Sequence, residues 1–379
     1  MARKTGLKKA AKIKIGVLYG GRSGEHDVSL CSAASVFSAL DRKKYEVKAI
    51  GIARDGRWYV QDNPKIIPDK DFGRKMSLKK RGTWLLNHFE QKNKLHLYNI
   101  KNKNEEVVLD VVFPVLHGTF GEDGTLQGLL ELAMVPYVGA DVTGSAVGMD
   151  KDIAKRLLCE AGINVVPSIT INKSGWREDS KVVMKKTLAK LGLPLFVKPI
   201  CTGSSVGVKK VKKKEALAQA IDFAFQFDTR VMIEKAIDCR EIECAVLGNE
   251  KPVGSILGEI IPRHEFYSYE AKYIDPEGAK LLIPAQIEKQ LAGKIRKTAV
   301  EGYMALGCSS MARVDFFLDK KTNEFYLNEI NTLPGFTSIS MYPKLWEATG
   351  IKYGELLDKL IELALDRHKK KLEIKTENI

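Results

Sequence analysis

Short apolar runs alternate with amphipathic stretches through the first third of the chain. IKIGVLY (13–19) has the continuous apolar character of a buried strand and ends on Gly20-Gly21, after which 26–40 reads as a helix. A second strand is predicted over 47–52 and a third over 107–116. A helix follows over 123–134, where Leu126, Leu129, Leu130 and Ala133 fall at helical spacing. Residues 54–107 are charge-rich and weakly patterned, and read as an insertion carrying short strands. Strands alternating with helices predict a doubly wound, Rossmann-like α/β domain over 13–138.

The pattern then changes. Helices are predicted over 144–161, 176–191 and 213–226, with strands over 164–171, 195–198 and 206–209, a compact α+β unit over 139–229. From 230 to 379 come several strands, a long helix over 284–306, a hairpin and a final helix. In that helix Tyr353, Leu356, Leu357, Leu360, Ile361 and Ala364 form an apolar stripe that reads as core. The hairpin joins RVDFFL (313–318) to FYLNEIN (325–331) through the polar turn DKKTNE. Period-two alternation sets Arg313 and Asp315 on one face, and likewise Glu329 and Asn331. If Asp319 pairs with Glu324, Asp315 falls opposite Asn328, one residue from Glu329. Three hard oxygen ligands and a guanidinium would then meet at one end of a hairpin, a set that suits Mg²⁺ with phosphate oxygens. Taken alone, the same residues are equally an exposed hairpin with surface charges.

The bulk properties narrow the classes. With 379 residues, 44% hydrophobic and 28% charged, the chain suits two or three soluble domains. No apolar stretch approaches the ~20 residues of a membrane span, and the start lacks a secretory pattern. Six scattered cysteines without a CxxC read as reduced thiols in a cytoplasmic protein. The net charge of +14 invites a nucleic-acid reading. The basic residues, however, gather in a tail expected to be disordered over 1–12 and at the ends of elements, with no aromatic-interleaved stripe. Neither specific nucleic-acid binding nor membrane binding is expected.

Candidate chemistry is spread along the chain. KPICTGSSVG (198–207) sets Lys198 before a small-residue loop able to turn backbone N–H groups toward phosphate, with Ser204 and Ser205 adding hydroxyls. Lys151 lies near a helix start. Glu25, in the loop after the first strand, could hold an ammonium group, and His117 ends a strand before a glycine-rich segment. Glu234 and Glu241 flank a link, Lys235-Ala236-Ile237, able to receive a purine. FYSYEAKY (266–273), with Lys272 and Tyr273, reads as a lid or as interdomain packing.

In order along the chain stand GGRSGEHDVS, LHGTFGEDGTLQG, MDK, VKP…GSSVG, IEK…RE, FYSYEAKY, RVD and NEINTLPGFTSISMYP. From residue 13 to about 365 this series resembles the D-alanine–D-alanine ligases of the ATP-grasp superfamily. The departures are the basic tail, the 54–107 insertion and Ile339 in SIS. The resemblance implies ATP clasped between the central and C-terminal ATP-grasp subdomains, two Mg²⁺ (or Mn²⁺) ions, a homodimer, and a dipeptide for peptidoglycan made through an acyl phosphate. It implies roles as well: Asp315, Glu329 and Asn331 on metal, Lys151 and Lys198 on phosphates, Glu234 to Ile237 on adenine and Glu241 on ribose. Arg313 and the Gly335 N–H would stabilise the oxyanion, and Glu25 with Ser204 and Tyr273 would hold the first D-alanine, oriented by His117. Ser340 and Met341 would hold the second, with Lys272 near the transferred phosphate. An EAKY lid implies an amine nucleophile rather than D-lactate. The rival reading from another class is a non-catalytic nucleotide- or nucleic-acid-binding protein on an α/β scaffold.

Overall fold

A computed structural model describes residues 11–82, 84–87, 93–102, 104–262 and 279–375. Most of the basic tail, and the segment holding Lys272 and Tyr273, lie outside the described residues. The apolar run at the start forms β1 (Ile13–Gly20), buried from Ile15 onward. It pairs in parallel with β2 (Tyr45–Ile52) on one side and β9 (Val111–Val115) on the other. β3 (Trp58–Gln61) adds an antiparallel edge, giving the order β3-β2-β1-β9. Helix α1 (His26–Ala39) packs on β1, and α2 (Thr125–Leu132) follows β9.

The insertion forms two small sheets. β4 (Ile66–Asp69) and β5 (Gly73–Met76) make a hairpin packed along α1. β6 (Trp84–Asn87), β7 (Leu95–Asn99) and β8 (Glu106–Leu109) make a three-stranded sheet. The single strand expected over 107–116 is therefore two, broken at Asp110, whose carboxylate and N–H both bond the backbone of Lys14.

Capping aspartates also divide the expected helices. Asp150 accepts the N–H groups of Asp152 and Ile153, ending α3 (Val142–Met149) and starting α4 (Lys151–Glu160). Asp179 accepts from Val182 and separates α5 (Lys173–Glu178) from α6 (Ser180–Leu191). An acceptor side chain at the N-cap satisfies N–H groups that the helix itself leaves open. The central sheet is antiparallel: β10 (Ser168–Asn172), β13 (Arg230–Lys235), β11 (Leu195–Pro199) and β12 (Lys209–Val211), backed by α7 (Leu217–Ala224).

The last sheet runs β16 (Ala279–Leu282), β15 (Val253–Pro262), β14 (Cys239–Leu247), β17 (Met311–Asp319) and β18 (Phe325–Asn331). One face is covered by α8 (Lys289–Ala305), which starts later than expected because Glu288 caps it. The other packs on α9 (Met341–Thr349). The final helix α10 (Tyr353–Leu372) turns its buried stripe onto the N-terminal sheet, so one apolar cluster joins Ile15, Val17 and Phe113 to Trp346, Leu357 and Leu360. Arg367 locks this contact by donating to the carbonyls of Tyr137 and Gly139 and to Ser309. Among the described residues no helix is long and apolar enough to cross a membrane.

The β17–β18 hairpin corrects one expectation. Asp319 bonds Glu324 and the register holds through Phe316↔Leu327, but a bulge between Asp315 and Phe316 slips the pairing by one. Asp315 therefore faces Glu329 directly, not Asn328, and Arg313 faces Asn331. A bulge re-aims side chains in this way.

Candidate active site

A cleft of about 720 Å³ opens between the central and C-terminal sheets and is closed on one side by the α1 end of the N-terminal sheet. It is lined by every candidate residue named from the sequence that the structure describes: Glu25, His117, Lys151, Lys198, Ser204, Glu234, Lys235, Ala236, Ile237, Glu241, Arg313, Asp315, Glu329, Asn331, Gly335, Ser340 and Met341. Lys272 and Tyr273 lie outside the described residues.

On the α1 side, Glu25 is the buried residue at the N-terminus of α1. Its N–H donates to Ser23 Oγ, and Ser204 Oγ donates to its carboxylate, which ties the glycine-rich loop to α1. Gly118 is required here. Its φ is +74°, and a Cβ would sit 2.7 Å from Glu25 Oε2. His117 is wholly engaged by protein: Nδ1 lies 3.2 Å from the Leu333 carbonyl and Nε2 3.1 Å from Ser32 Oγ. A carbonyl only accepts, so Nδ1 carries the proton and Nε2 accepts from Ser32. Burial lowers the pKa of this ring, which keeps it neutral.

On the central side, residues 201–207 form a tight loop in which Ser204 and Ser205 take left-handed φ values of 49° and 59°. Such values are uncommon for residues with a Cβ, and they cluster at functional turns. Lys151 Nζ donates to the carbonyls of Ile200 (3.1 Å) and Thr202 (2.5 Å), binding the start of α4 to this loop. Asp228 accepts the Cys201 N–H at 2.7 Å from the other side. Burial lowers the Lys151 pKa. Beneath the loop, Glu234 is buried with one oxygen on Lys155 and the other on Lys198. Burial raises the Glu234 pKa, but Lys198 and Lys155 outweigh it and hold the group below the usual carboxylate range. Residues 236–238 then turn from β13 into β14 along the cleft wall, with the Ala236 N–H on the Pro194 carbonyl at 3.0 Å.

On the C-terminal side, Arg313 grips Asp315 through Nε (2.8 Å) and Nη2 (2.7 Å) and also reaches Glu243 Oε2 at 3.0 Å. Burial pulls its pKa down, but Asp315 and Glu243 more than reverse this and fix the charge. Asn331 Nδ2 donates to Asp315 Oδ2 at 2.9 Å. The next segment folds back sharply: Ser340 Oγ accepts the Thr337 N–H at 2.9 Å, and a Cβ on Gly335 would lie 2.7 Å from that hydroxyl. Ser340 thus begins α9 beside the Gly335 backbone.

Three contributors escaped the sequence reading. Glu122, inside the glycine-rich 116–128 segment, is half-buried on the cleft wall, takes the Gly118 N–H at 3.0 Å and faces Glu25 and Lys151. Burial and then Glu25 push its carboxyl well above the usual range. Lys155 sits one helical turn after Lys151, and Glu243 two residues after Glu241. Those spacings, four on a helix and two on a strand, are the signals that could have exposed the last two.

Two antiparallel sheets set across a cleft, lysines and a glycine-rich loop on one and paired carboxylates with an arginine on the other, define an ATP-grasp enzyme. The profile described as D-ala D-ala ligase N-terminus matches residues 14–140, and D-ala D-ala ligase C-terminus matches residues 157–362. The chain belongs to the D-alanine–D-alanine ligase family. It is 48% identical over 357 residues to D-alanine–D-alanine ligase A of Escherichia coli (strain K12), covering 94% of this chain and 97% of that protein. The structure of the D-alanine–D-alanine ligase from Coxiella burnetii superposes with a TM-score of 0.81 at 38% identity, covering 96% of this chain and 97% of that one. The VanG D-Ala:D-Ser ligase from Enterococcus faecalis superposes with a TM-score of 0.78 at 37% identity, covering 93% and 100%.

Two outcomes are expected from these contacts. Lys155→Met leaves Glu234 a single cation, drawing Lys198 into that pair. Loss of one partner from a buried ion pair costs about 3 kcal/mol, so the midpoint of denaturant unfolding falls. The KM for ATP rises while that for the amino acid holds, and an unchanged KM for ATP would refute the link. The second outcome concerns pH. The fold favours protonated Glu122, so its contribution to stability is complete below the ordinary glutamic acid pKa of about 4.3. It is lost as pH rises through the raised value. Glu122→Gln removes that loss, so the melting temperature of the variant gains on wild type as pH climbs from about 4. An offset that is constant with pH would contradict it.

Proposed function

We propose that this enzyme joins two molecules of D-alanine to D-alanyl-D-alanine with cleavage of ATP to ADP and phosphate, supplying a precursor of peptidoglycan. One observation carries the reading: the Glu25 carboxylate, a glycine-rich loop with two lysines, and an acidic hairpin end with a paired guanidinium all line a single cleft. Binding of a nucleotide alone needs neither the Glu25–Ser204 pair nor Arg313.

In the first step Glu25, fixed by Ser204, takes the ammonium group of the first D-alanine, and a carboxylate oxygen of that molecule attacks the γ-phosphorus. The bond to ADP breaks and an acyl phosphate forms. Lys151 and Lys198 offset charge on the phosphates, and the Glu234–Glu241 link receives adenine and ribose. Phosphoryl transfer draws mainly on such positioning and neutralisation. In the second step the amine of the second D-alanine, held by Ser340 and the backbone at Met341, attacks the acyl carbon and loses a proton. Arg313 and the Gly335 N–H bear the charge of the tetrahedral oxyanion, and phosphate departs. His117, neutral and with both nitrogens occupied, positions Leu333 and α1 around the first amino acid rather than moving a proton. Tyr273 and Lys272 complete the reading as lid residues near that amino acid and the transferred phosphate.

The donor set fits a divalent metal. Asp315 and Glu329 stand opposite one another, and the Asn331 amide adjoins them. No group of three or more His, Cys, Asp or Glu side chains suited to a metal occurs among the described residues. Two carboxylates and an amide, however, are what Mg²⁺ takes when phosphate oxygens fill its remaining positions. Mg²⁺ or Mn²⁺, two ions per site, would neutralise the phosphate oxygens there. The reading further includes three lobes over 13–138, 139–229 and 230–379, a cytoplasmic homodimer, and no nucleic-acid or membrane partner.

The test is ADP release and product mass spectrometry with ATP, Mg²⁺ and D-alanine, with D-serine and D-lactate as competing second substrates. D-alanyl-D-alanine is the expected product. No ADP release with any D-amino acid would overturn the reading, and a D-Ser- or D-Lac-ended product would reassign the second substrate. Glu329→Ala should cut turnover by at least a factor of about 100, the scale for losing one group that stabilises transition-state charge. Wild-type turnover would refute the metal assignment.

A further inference from the structure

The 54–107 insertion has so far no part in the reaction, yet one of its residues lines the cleft. The β4–β5 hairpin runs beside α1, and its turn brings Phe72 into the cleft wall together with Val28 and Glu25. The backbone of the turn that carries Phe72 is fixed. Asp69 Oδ1 accepts the N–H groups of both Asp71 and Phe72 at 3.0 Å, and its other oxygen pairs with Lys75 at 3.0 Å. Gly73 closes the turn with a φ of +77°. Met76, at the far end of β5, is fully buried in the apolar cluster shared with α1. β5 packs along α1, the helix that Glu25 begins.

We propose that Phe72 is a specificity-determining residue for the first amino acid. With Val28, one helical turn from Glu25, it forms an apolar wall facing the side chain of the molecule whose ammonium group Glu25 holds, and it limits that side chain to about one methyl group. This rests on the D-alanine reading above. The turn that carries the ring is fixed through its backbone, so a larger substrate side chain meets the ring rather than displacing the loop. One methylene in an apolar pocket changes kcat/KM by about 10- to 200-fold. The two amino acids differ in fate: the first gives its carboxyl and becomes the N-terminal residue of the dipeptide.

The experiment uses the full chain with ATP, Mg²⁺ and an equimolar mixture of D-alanine and D-2-aminobutyrate, and reads dipeptide order by tandem mass spectrometry. For Phe72→Ala, the fraction of product carrying aminobutyrate at the N-terminal position should rise about tenfold, with its fraction at the C-terminal position unchanged. Phe72→Trp should lower the N-terminal fraction below wild type, and Phe72→Leu should fall between wild type and Phe72→Ala. This graded order keeps the test valid if the alanine variant fails to fold. An unchanged N-terminal fraction across the folded variants, or a change confined to the C-terminal position, would overturn the proposal. Failure of wild type to make any dipeptide would instead overturn the functional reading on which it rests.

Discussion

Arg313 sits at the junction of β14, β17 and β18 with its guanidinium shared between Asp315 and Glu243, and the rest of the cleft is arranged around that placement. A buried cation or carboxylate is tolerable only when its partners come with it. The register therefore has little freedom. Slipping β17 by one residue would turn Arg313 and Asp315 into the apolar cluster that holds Val314, Phe316 and Leu318. The bulge after Asp315 reconciles two demands, since it keeps Phe316 in the core opposite Leu327 while bringing Asp315 level with Glu329. The same logic governs the other wall, where Glu234 takes one lysine on each oxygen. Positive charge is thus held toward the cleft without a free carboxylate beneath it.

The pairing of charge extends between lobes. Ser204 on the glycine-rich loop bonds Glu25 at the head of α1, and Lys151 at the head of α4 bonds the same loop through two carbonyls. His117 joins the end of β9 to α1 through Ser32 and to the chain after β18 through Leu333. Remote from the cleft, Arg367 and the α10 stripe hold the N-terminal sheet against the C-terminal one. The Glu25 end of α1 and the glycine-rich loop, which on the proposed reading hold ammonium and phosphate, are therefore related by several bonds rather than by one hinge. Orientation of two reactants against each other is a large part of what such a site contributes.

Much of this was legible in the sequence, for identifiable reasons. Strands β1 and β9, and β2 from Ala49 onward, carry apolar runs because they are covered on both faces, and such runs survive in any single sequence. The hairpin was legible because alternation names its faces. What alternation cannot name is a bulge, which changes the partner without changing the pattern, so Asp315 was paired one residue away from Glu329. The helix breaks at Asp150 and Asp179 were hidden because an aspartate in a polar helix face reads the same as an aspartate capping the next helix. Glu122 and Lys155 were missed for a related reason. Each acquires its role from a residue distant in sequence, Glu25 and Glu234, and only the fold brings those together. The insertion was legible as short strands, but its approach to α1 depends on packing of Met76 that no local signal announces.

The chain from β18 to α9 shows how closely the two half-reactions are coupled mechanically. Glu329 and Asn331 lie on the strand, the Leu333 carbonyl accepts a hydrogen bond from His117 Nδ1, and Phe336 wedges its ring against Phe113 and Tyr342. Gly335 then passes so close to Ser340 that no side chain fits between them. Ser340 begins a helix anchored by fully buried Tyr342 and Trp346. Phosphate charge, oxyanion and second amino acid are on this reading served by the consecutive residues from Glu329 to Met341. A close-packed core transmits displacement rather than absorbing it. A substitution that moved α9 would thus disturb the oxyanion donor together with the second substrate. Adjusting the choice of second substrate without losing rate is correspondingly easier from side chains on other elements than from this segment.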